Sequence, residues 1–152
     1  MTIEEEFQLL SRIELFEHLD PVQLKRLIFV SQRYQLEPEE YLFRYGDTSE
    51  TVFGIVEGEF SVLLDSAHGA IDVAQQGCGE LVGEMAVISG QPRNASVRAN
   101  TASEVIAFEK DLFISTVTSD PQTALKLMQL LSERIVTLNN QLMQLSGDQL
   151  HS

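Results

Sequence analysis

The stretch Gly79-Glu80-Leu81-Val82-Gly83-Glu84-Met85-Ala86-Val87-Ile88-Ser89-Gly90-Gln91-Pro92-Arg93-Asn94-Ala95-Ser96-Val97 decides how the chain is read. Glu84 to Ser89 holds no helix breaker, Gly83 stands ahead of it, and Gly90-Gln91-Pro92 closes it, so a short helix is expected over 84–89. A glycine before a helix lets backbone come close to another group, and the first N–H groups of a helix have no internal partner. Such an end attracts an anion, most readily a phosphate. Arg93 follows a turn that can fold the chain back, so its guanidinium can add a charge-assisted, two-pronged contact to the same anion.

Glu84 needs a separate explanation, because a carboxylate beside a phosphate repels it unless it serves a different atom. An ionised carboxylate only accepts hydrogen bonds, whereas a sugar hydroxyl has one to donate. A 3′,5′-cyclic nucleotide carries the phosphate and the neighbouring hydroxyl together.

On either side of this stretch the pattern is one of short strands. Tyr41, Phe43 and Tyr45 alternate with Leu42 and Arg44, and Phe60, Val62 and Leu64 alternate with Ser61 and Leu63. Turn residues recur at Gly46-Asp47, Glu57-Gly58, His68-Gly69, Gly77 to Gly79 and Gly90. This punctuation predicts a mainly β chain with flanking helices (α+β), built as an antiparallel β-roll or jelly-roll barrel of about eight strands over 34–109.

A helical lead-in is expected over 1–33. Thr2 and Glu5 fit a capping box, and Leu9, Leu10, Ile13 and Phe16 recur at helical spacing. Asp20-Pro21 is a cap-and-proline start for a helix carrying Leu24, Leu27 and Ile28, ending near Ser31. Beyond the roll, a brief helix is expected over Asp111 to Val117. Asp120-Pro121 then opens a long helix towards Leu145, followed by a loose polar tail over 146–152. Ala124, Met128, Leu131, Ile135, Leu138, Leu142 and Leu145 form a heptad seam on that helix, so a homodimer through 124–145 is expected. Leu125, Leu127 and Leu130 imply that its first half also packs on its own roll.

Composition narrows the functions. The chain has 152 residues and a formal net charge of −13, with its ten Lys and Arg scattered, so direct nucleic-acid binding and attachment to an anionic membrane are disfavoured. No apolar run approaches the length of a membrane span, and the acidic N-terminus is unlike a secretory signal, so a cytoplasmic location is expected. Cys78, the single cysteine, has no partner thiol and reads as turn filler. His18, His68 and His151 lack paired spacing, and no metal is expected. No Gly-x-Ser-x-Gly, paired-cysteine or Walker-type motif occurs, and nothing pairs Glu84 with a nucleophile or a second acid for general-base work, so no catalytic residues and no enzyme activity are expected.

The Gly-Glu, helix, Pro-Arg-x-Ala order with Ser96 before Val97 resembles the phosphate-binding cassette of the cyclic-nucleotide-binding domain family, here over 82–97. Ile13-Glu14-Leu15-Phe16, Leu19-Asp20-Pro21 and Leu24 resemble the family's lead-in, and Tyr45-Gly46-Asp47 and Ile55-Val56-Glu57-Gly58 resemble its roll turns. The resemblance covers about Ile13 to Leu145 and implies one domain over 1–145. It implies that Gly83 and Ala86 offer backbone N–H groups to the phosphate, with Arg93 its guanidinium and Ala95 a further backbone contact. Glu84 would take the ribose hydroxyl, and Val82, Met85 and Val97 would line sugar and base.

Asn94 departs from the family's usual Ala, Ser or Thr and leaves the base open, with cAMP favoured over cGMP as the ligand. The long helix resembles the dimer helix of the Crp/Fnr branch, which would place Arg134, Leu138 and Asn139 near the base. Leu138 stands where the catabolite activator has a hydroxyl residue that helps read adenine. No helix-turn-helix is recognisable after Leu145. The resemblance therefore implies a non-enzymatic sensor with no cofactor beyond its ligand, moving its C-terminal helices to signal to an unknown protein effector. In that scheme Val87 and Ile88 would pass the signal to Phe108, Leu112 and Phe113. The rival reading is a protein-interaction module of the same fold that no longer uses a ligand.

Overall fold

The computed structural model describes residues 2–150, with side chains through Gln144. The Thr2 hydroxyl accepts the Glu5 N–H at 3.2 Å and opens α1 (Ile3–Leu10). The apolar spacing that suggests one longer helix breaks at Ser11, and a 3₁₀ turn follows at Glu14–Phe16. Packing gives the reason. Ile13, Leu15 and Phe16 are all buried, and a continuous helix would turn Ile13 and Leu15 to opposite sides. The Asp20 carboxylate caps α2 (Pro21–Val30) by accepting the Val22 N–H at 3.0 Å, and that helix buries Leu24, Leu27 and Ile28.

Eight strands follow: β1 (Gln32–Leu36), β2 (Tyr41–Phe43), β3 (Thr51–Glu57), β4 (Glu59–Ser66), β5 (Gly69–Gly77), β6 (Leu81–Val82), β7 (Ser96–Ala99) and β8 (Ser103–Glu109). They form two antiparallel four-stranded sheets, ordered β1-β8-β3-β6 and β2-β7-β4-β5. The expected roll is present, but its two sheets do not close into a barrel. β2 ends at Phe43, and Tyr45 falls in a solvent-facing turn because the Asp47 carboxylate accepts the Arg44 N–H at 2.9 Å.

Two apolar clusters meet at the first sheet. Leu36, Ile55, Phe60, Val82, Val97, Ala99 and Val105 fill the roll, while Val52, Val56, Ile106 and Phe108 join the buried residues of the helices. The unbroken run Val105-Ile106-Ala107-Phe108 follows from this, since a strand covered on both faces needs no polar side. Gly54 makes the close contact possible: a Cβ there would lie 3.3 Å from the Phe108 ring, 3.5 Å from Ile13 and 3.6 Å from Leu10.

The Glu109 carboxylate caps α4 (Lys110–Thr118), accepting the N–H groups of Asp111 and Leu112 at 3.1 Å each. Asp120 accepts the Gln122 N–H at the start of α5 (Pro121–Leu150). α5 runs on to Leu150 instead of giving way to a loose tail at Ser146. No proline interrupts it, and Gly147 alone costs a helix only about 1 kcal/mol. The Leu145 side chain and residues 151 and 152 lie outside the described residues.

The heptad seam forms one stripe along α5, as its spacing of 4 and 3 requires, and most of that stripe is exposed. Leu131, Leu138 and Leu142 border a cleft against the roll, and Leu138 and Leu142 are exposed along with Met128, Ile135, Leu125, Val136 and Met143. Lys126 ties the helix to the 3₁₀ turn through Glu14 at 3.0 Å.

Candidate functional site

The site is built where β6 gives way to α3 (Glu84–Ser89), the short helix expected from the sequence. Gly83 has φ of +83°, a left-handed conformation that side chains resist. Its missing side chain is also needed for space. A Cβ there would overlap Arg93 Nη1 and would stand 3.2 Å from the Phe43 ring.

Arg93 is only 3% exposed. Its backbone is clasped by the Gly46-Asp47 turn: Gly46 N–H donates to the Arg93 carbonyl at 2.8 Å, and Arg93 N–H donates to the Asp47 carbonyl at 2.9 Å. Ser49 secures the same loop by donating to the Gln91 carbonyl at 2.5 Å. The Arg93 guanidinium lies 4.1 Å over the Phe43 ring and donates to the Gly83 carbonyl at 2.7 Å and the Thr51 carbonyl at 2.5 Å. Among the described residues its Nε has no hydrogen-bond partner, and no carboxylate lies within ion-pair distance of it. Burial pushes the guanidinium below its ordinary pKa, with Asp47 and then Glu84 acting through space in the opposite direction.

Glu84 is buried as well, at 5% exposure. Its Oε1 accepts a hydrogen bond from Arg134 Nη1 of α5 at 2.5 Å. Glu84, Arg134 and Leu138 line a cleft of about 1220 Å³ between α5, the lead-in and the β4–β5 hairpin. Arg93 lines a smaller cavity of about 340 Å³ with Phe43, Asp47 and Thr51. The two residues the sequence assigns to one ligand therefore line different cavities, each already engaged by protein groups.

The remaining expected residues are divided. Val82 and Val97 are buried in the roll, Ala86 is buried on α3, and Met85 and Ala95 are half-buried. Asn94 and Asn139 are exposed, and Asn139 is outside the cleft lining. Val87 joins Phe108 and Phe113 in the helix-side core and Leu112 packs against it, but Ile88 is exposed.

Sequence reasoning missed Val62, Val73, Gln76 and Arg12 in the large cleft, and Phe43 and Thr51 around Arg93. The turn at Gly46-Asp47 was the one available signal for the second group. Among the described residues no set of His, Cys, Asp and Glu side chains could hold a metal, and no helix is long and apolar enough to cross a membrane.

Comparison with known proteins agrees with this architecture. The model of the cyclic nucleotide-binding domain matches residues 33–120. Lysophospholipase nte1 of Neurospora crassa is 27% identical over 128 residues, 84% of this chain but 8% of that protein, so the chain spans a small part of its length. The regulatory domain of Toxoplasma gondii PKA, crystallised with cAMP, superposes with a TM-score of 0.70 at 26% identity over 75% of this chain and 44% of that one. The catabolite activator protein of Thermus thermophilus superposes with a TM-score of 0.77 at 25% identity over 88% of this chain and 63% of that one. With a cassette, an eight-stranded roll and a long C-terminal helix in the family's order, and the family's model matched over more than half of its length, this chain belongs to the cyclic nucleotide-binding domain family.

Proposed function

We propose that this domain is a non-enzymatic sensor that binds a cyclic nucleoside monophosphate, cAMP in preference to cGMP, and signals through α5. The observation that carries this reading is Arg93: a buried guanidinium with a bare Nε and no carboxylate counter-ion, beside a second buried charged group at Glu84. A charge held this way is costly unless an anion completes it. Within the cassette, Arg93 serves the cyclic phosphate, Gly83, Ala86 and Ala95 supply backbone contacts, and Glu84 accepts from the ribose. Val82, Met85 and Val97 form apolar walls, and Asn94 stands where phosphate or base edge passes. Arg134 and Leu138, which line the cleft, bring α5 to the base, and Asn139 stands outside it.

The cleft exceeds the roughly 300–1,000 Å³ of ordinary small-molecule sites, so the nucleotide fills only its inner end, near Glu84. Bound ligand favours one docking of α4 and α5 over another, because its contacts with the two arrangements are unequal. Val87, Phe108, Leu112 and Phe113 share the packing that passes this bias on. The apolar outer face of α5 supports a homodimer, and the net charge of −13 supports a protein effector over nucleic acid.

One observation favours the rival reading, a module of the same fold that works without a ligand: Glu84 is already satisfied by Arg134. Calorimetric titration with cAMP and cGMP separates the two. A sensor binds, and Arg93→Ala weakens binding by at least about 2 kcal/mol, the scale for losing a charge-assisted contact. Equal behaviour of wild type and variant favours the ligand-free module.

A further inference from the structure

We propose that Phe43, with the carbonyls of Thr51 and Gly83, forms a berth that competes with an anionic ligand for the Arg93 guanidinium, so that Phe43 sets the affinity of the site. The inference rests on the nucleotide reading above and adds a residue outside the cassette. The berth is specific in shape and chemistry. Phe43 is held by stacking on Phe53, with ring centroids 6.2 Å apart and planes at 26°. The guanidinium carbon lies over this ring at 4.1 Å from its centroid, and Nη1 and Nη2 donate to the two carbonyls. Gly83 leaves room for it by having no side chain.

The berth is also one-sided. Arg93 and Phe43 line the 340 Å³ cavity, and Glu84 lines the 1220 Å³ cleft. A ligand held by Glu84 reaches Arg93 only when the guanidinium leaves the ring and exchanges its carbonyls for ligand oxygens. The backbone stays fixed during that exchange, because its N–H and carbonyl are bonded to the Gly46-Asp47 turn. Side-chain torsions alone carry the change. Any contact that holds Arg93 over Phe43 is thus subtracted from the affinity for the ligand. The bare Nε marks the berth as an incomplete one that an anion can outbid.

The experiment is calorimetric titration of the full chain with cAMP and cGMP, comparing wild type, Phe43→Leu and Phe43→Tyr. Loss of the ring in Phe43→Leu removes the cation–π contact, so a roughly three- to tenfold lower Kd is expected. Phe43→Tyr keeps the ring and is expected to bind as wild type does. A merely structural role for Phe43 would weaken binding in Phe43→Leu, and unchanged or weaker binding there overturns the proposal while leaving the nucleotide reading intact. Absence of binding in wild type overturns both. Should Phe43→Leu fail to fold, the Nε–H resonance of Arg93 in wild type gives the answer. It is expected to carry the ring-current shift of Phe43 in free protein and to lose it on saturation with nucleotide, and a resonance that stays in place overturns the berth.

Discussion

Glu84 Oε1 and Arg134 Nη1 are 2.5 Å apart although 50 positions separate them in sequence, and this bond joins the cassette helix to the long C-terminal helix. The carboxylate is the buried member of the pair, with its side chain 7% exposed against 41% for the arginine. Arg134→Met therefore leaves a buried acceptor without its partner. A loss of about 1–3 kcal/mol in unfolding free energy is expected, towards the lower end because solvent reaches the arginine. Urea denaturation of wild type and variant checks this, and matching midpoints would show that the pair contributes nothing.

Gly83→Ala combines two penalties. A backbone φ of +83° strains any L side chain, by on the order of 1–3 kcal/mol, and the new Cβ overlaps Arg93 Nη1. Lower stability and a displaced Arg93 side chain are expected together. Thermal unfolding measures the first. A crystal structure of the variant with the guanidinium still over Phe43 would contradict the second.

The Lys126–Glu14 contact gives a pH dependence of known sign. The hydrogen bond to Glu14 is the main cause that raises the lysine above its ordinary range, while burial acts the other way. A group whose folded pKa is raised stabilises fully below its unfolded value and loses that contribution as pH climbs through the folded value. Wild type is therefore expected to melt above Lys126→Met near neutral pH, with the difference vanishing well above about pH 10.4, the ordinary lysine value. A difference that persists unchanged at the alkaline end would assign the effect to packing.

The outer face of α5 presents Leu125, Met128, Ile135, Val136 and Met143 to solvent without a single charge among them, on a chain of net charge −13. A second copy can approach such a face without meeting repelling carboxylates. Sedimentation equilibrium is expected to find a dimer for wild type and a monomer for Ile135→Glu, and a monomeric wild type would end the idea.

Local signals were the readable part of the sequence. Asp20-Pro21, Asp120-Pro121 and the segment from Gly83 to Gly90 each announce a boundary within a few residues, and all three appear where expected. What sequence could not reveal depends on distant partners. The direction of the Arg93 side chain is set by Phe43 and Thr51, and the engagement of Glu84 by Arg134. How much of the α5 seam the roll covers was illegible for a related reason. A repeat of 3.5 identifies an apolar stripe, but the roll's position decides that Leu131 is half-buried while Met128, Ile135, Leu138 and Leu142 stay exposed.

Gly54 sets a rule for anyone transplanting this domain into another protein. Because Leu10 and Ile13 settle onto the bare backbone there, close to Phe108, an excised piece beginning at residue 33, where the family match starts, would uncover part of the helix-side face of the β1-β8-β3-β6 sheet. A graft meant to fold by itself has to bring along the helices from Thr2 onward and the first half of α5, whose Leu127 and Leu130 pack on the same cluster.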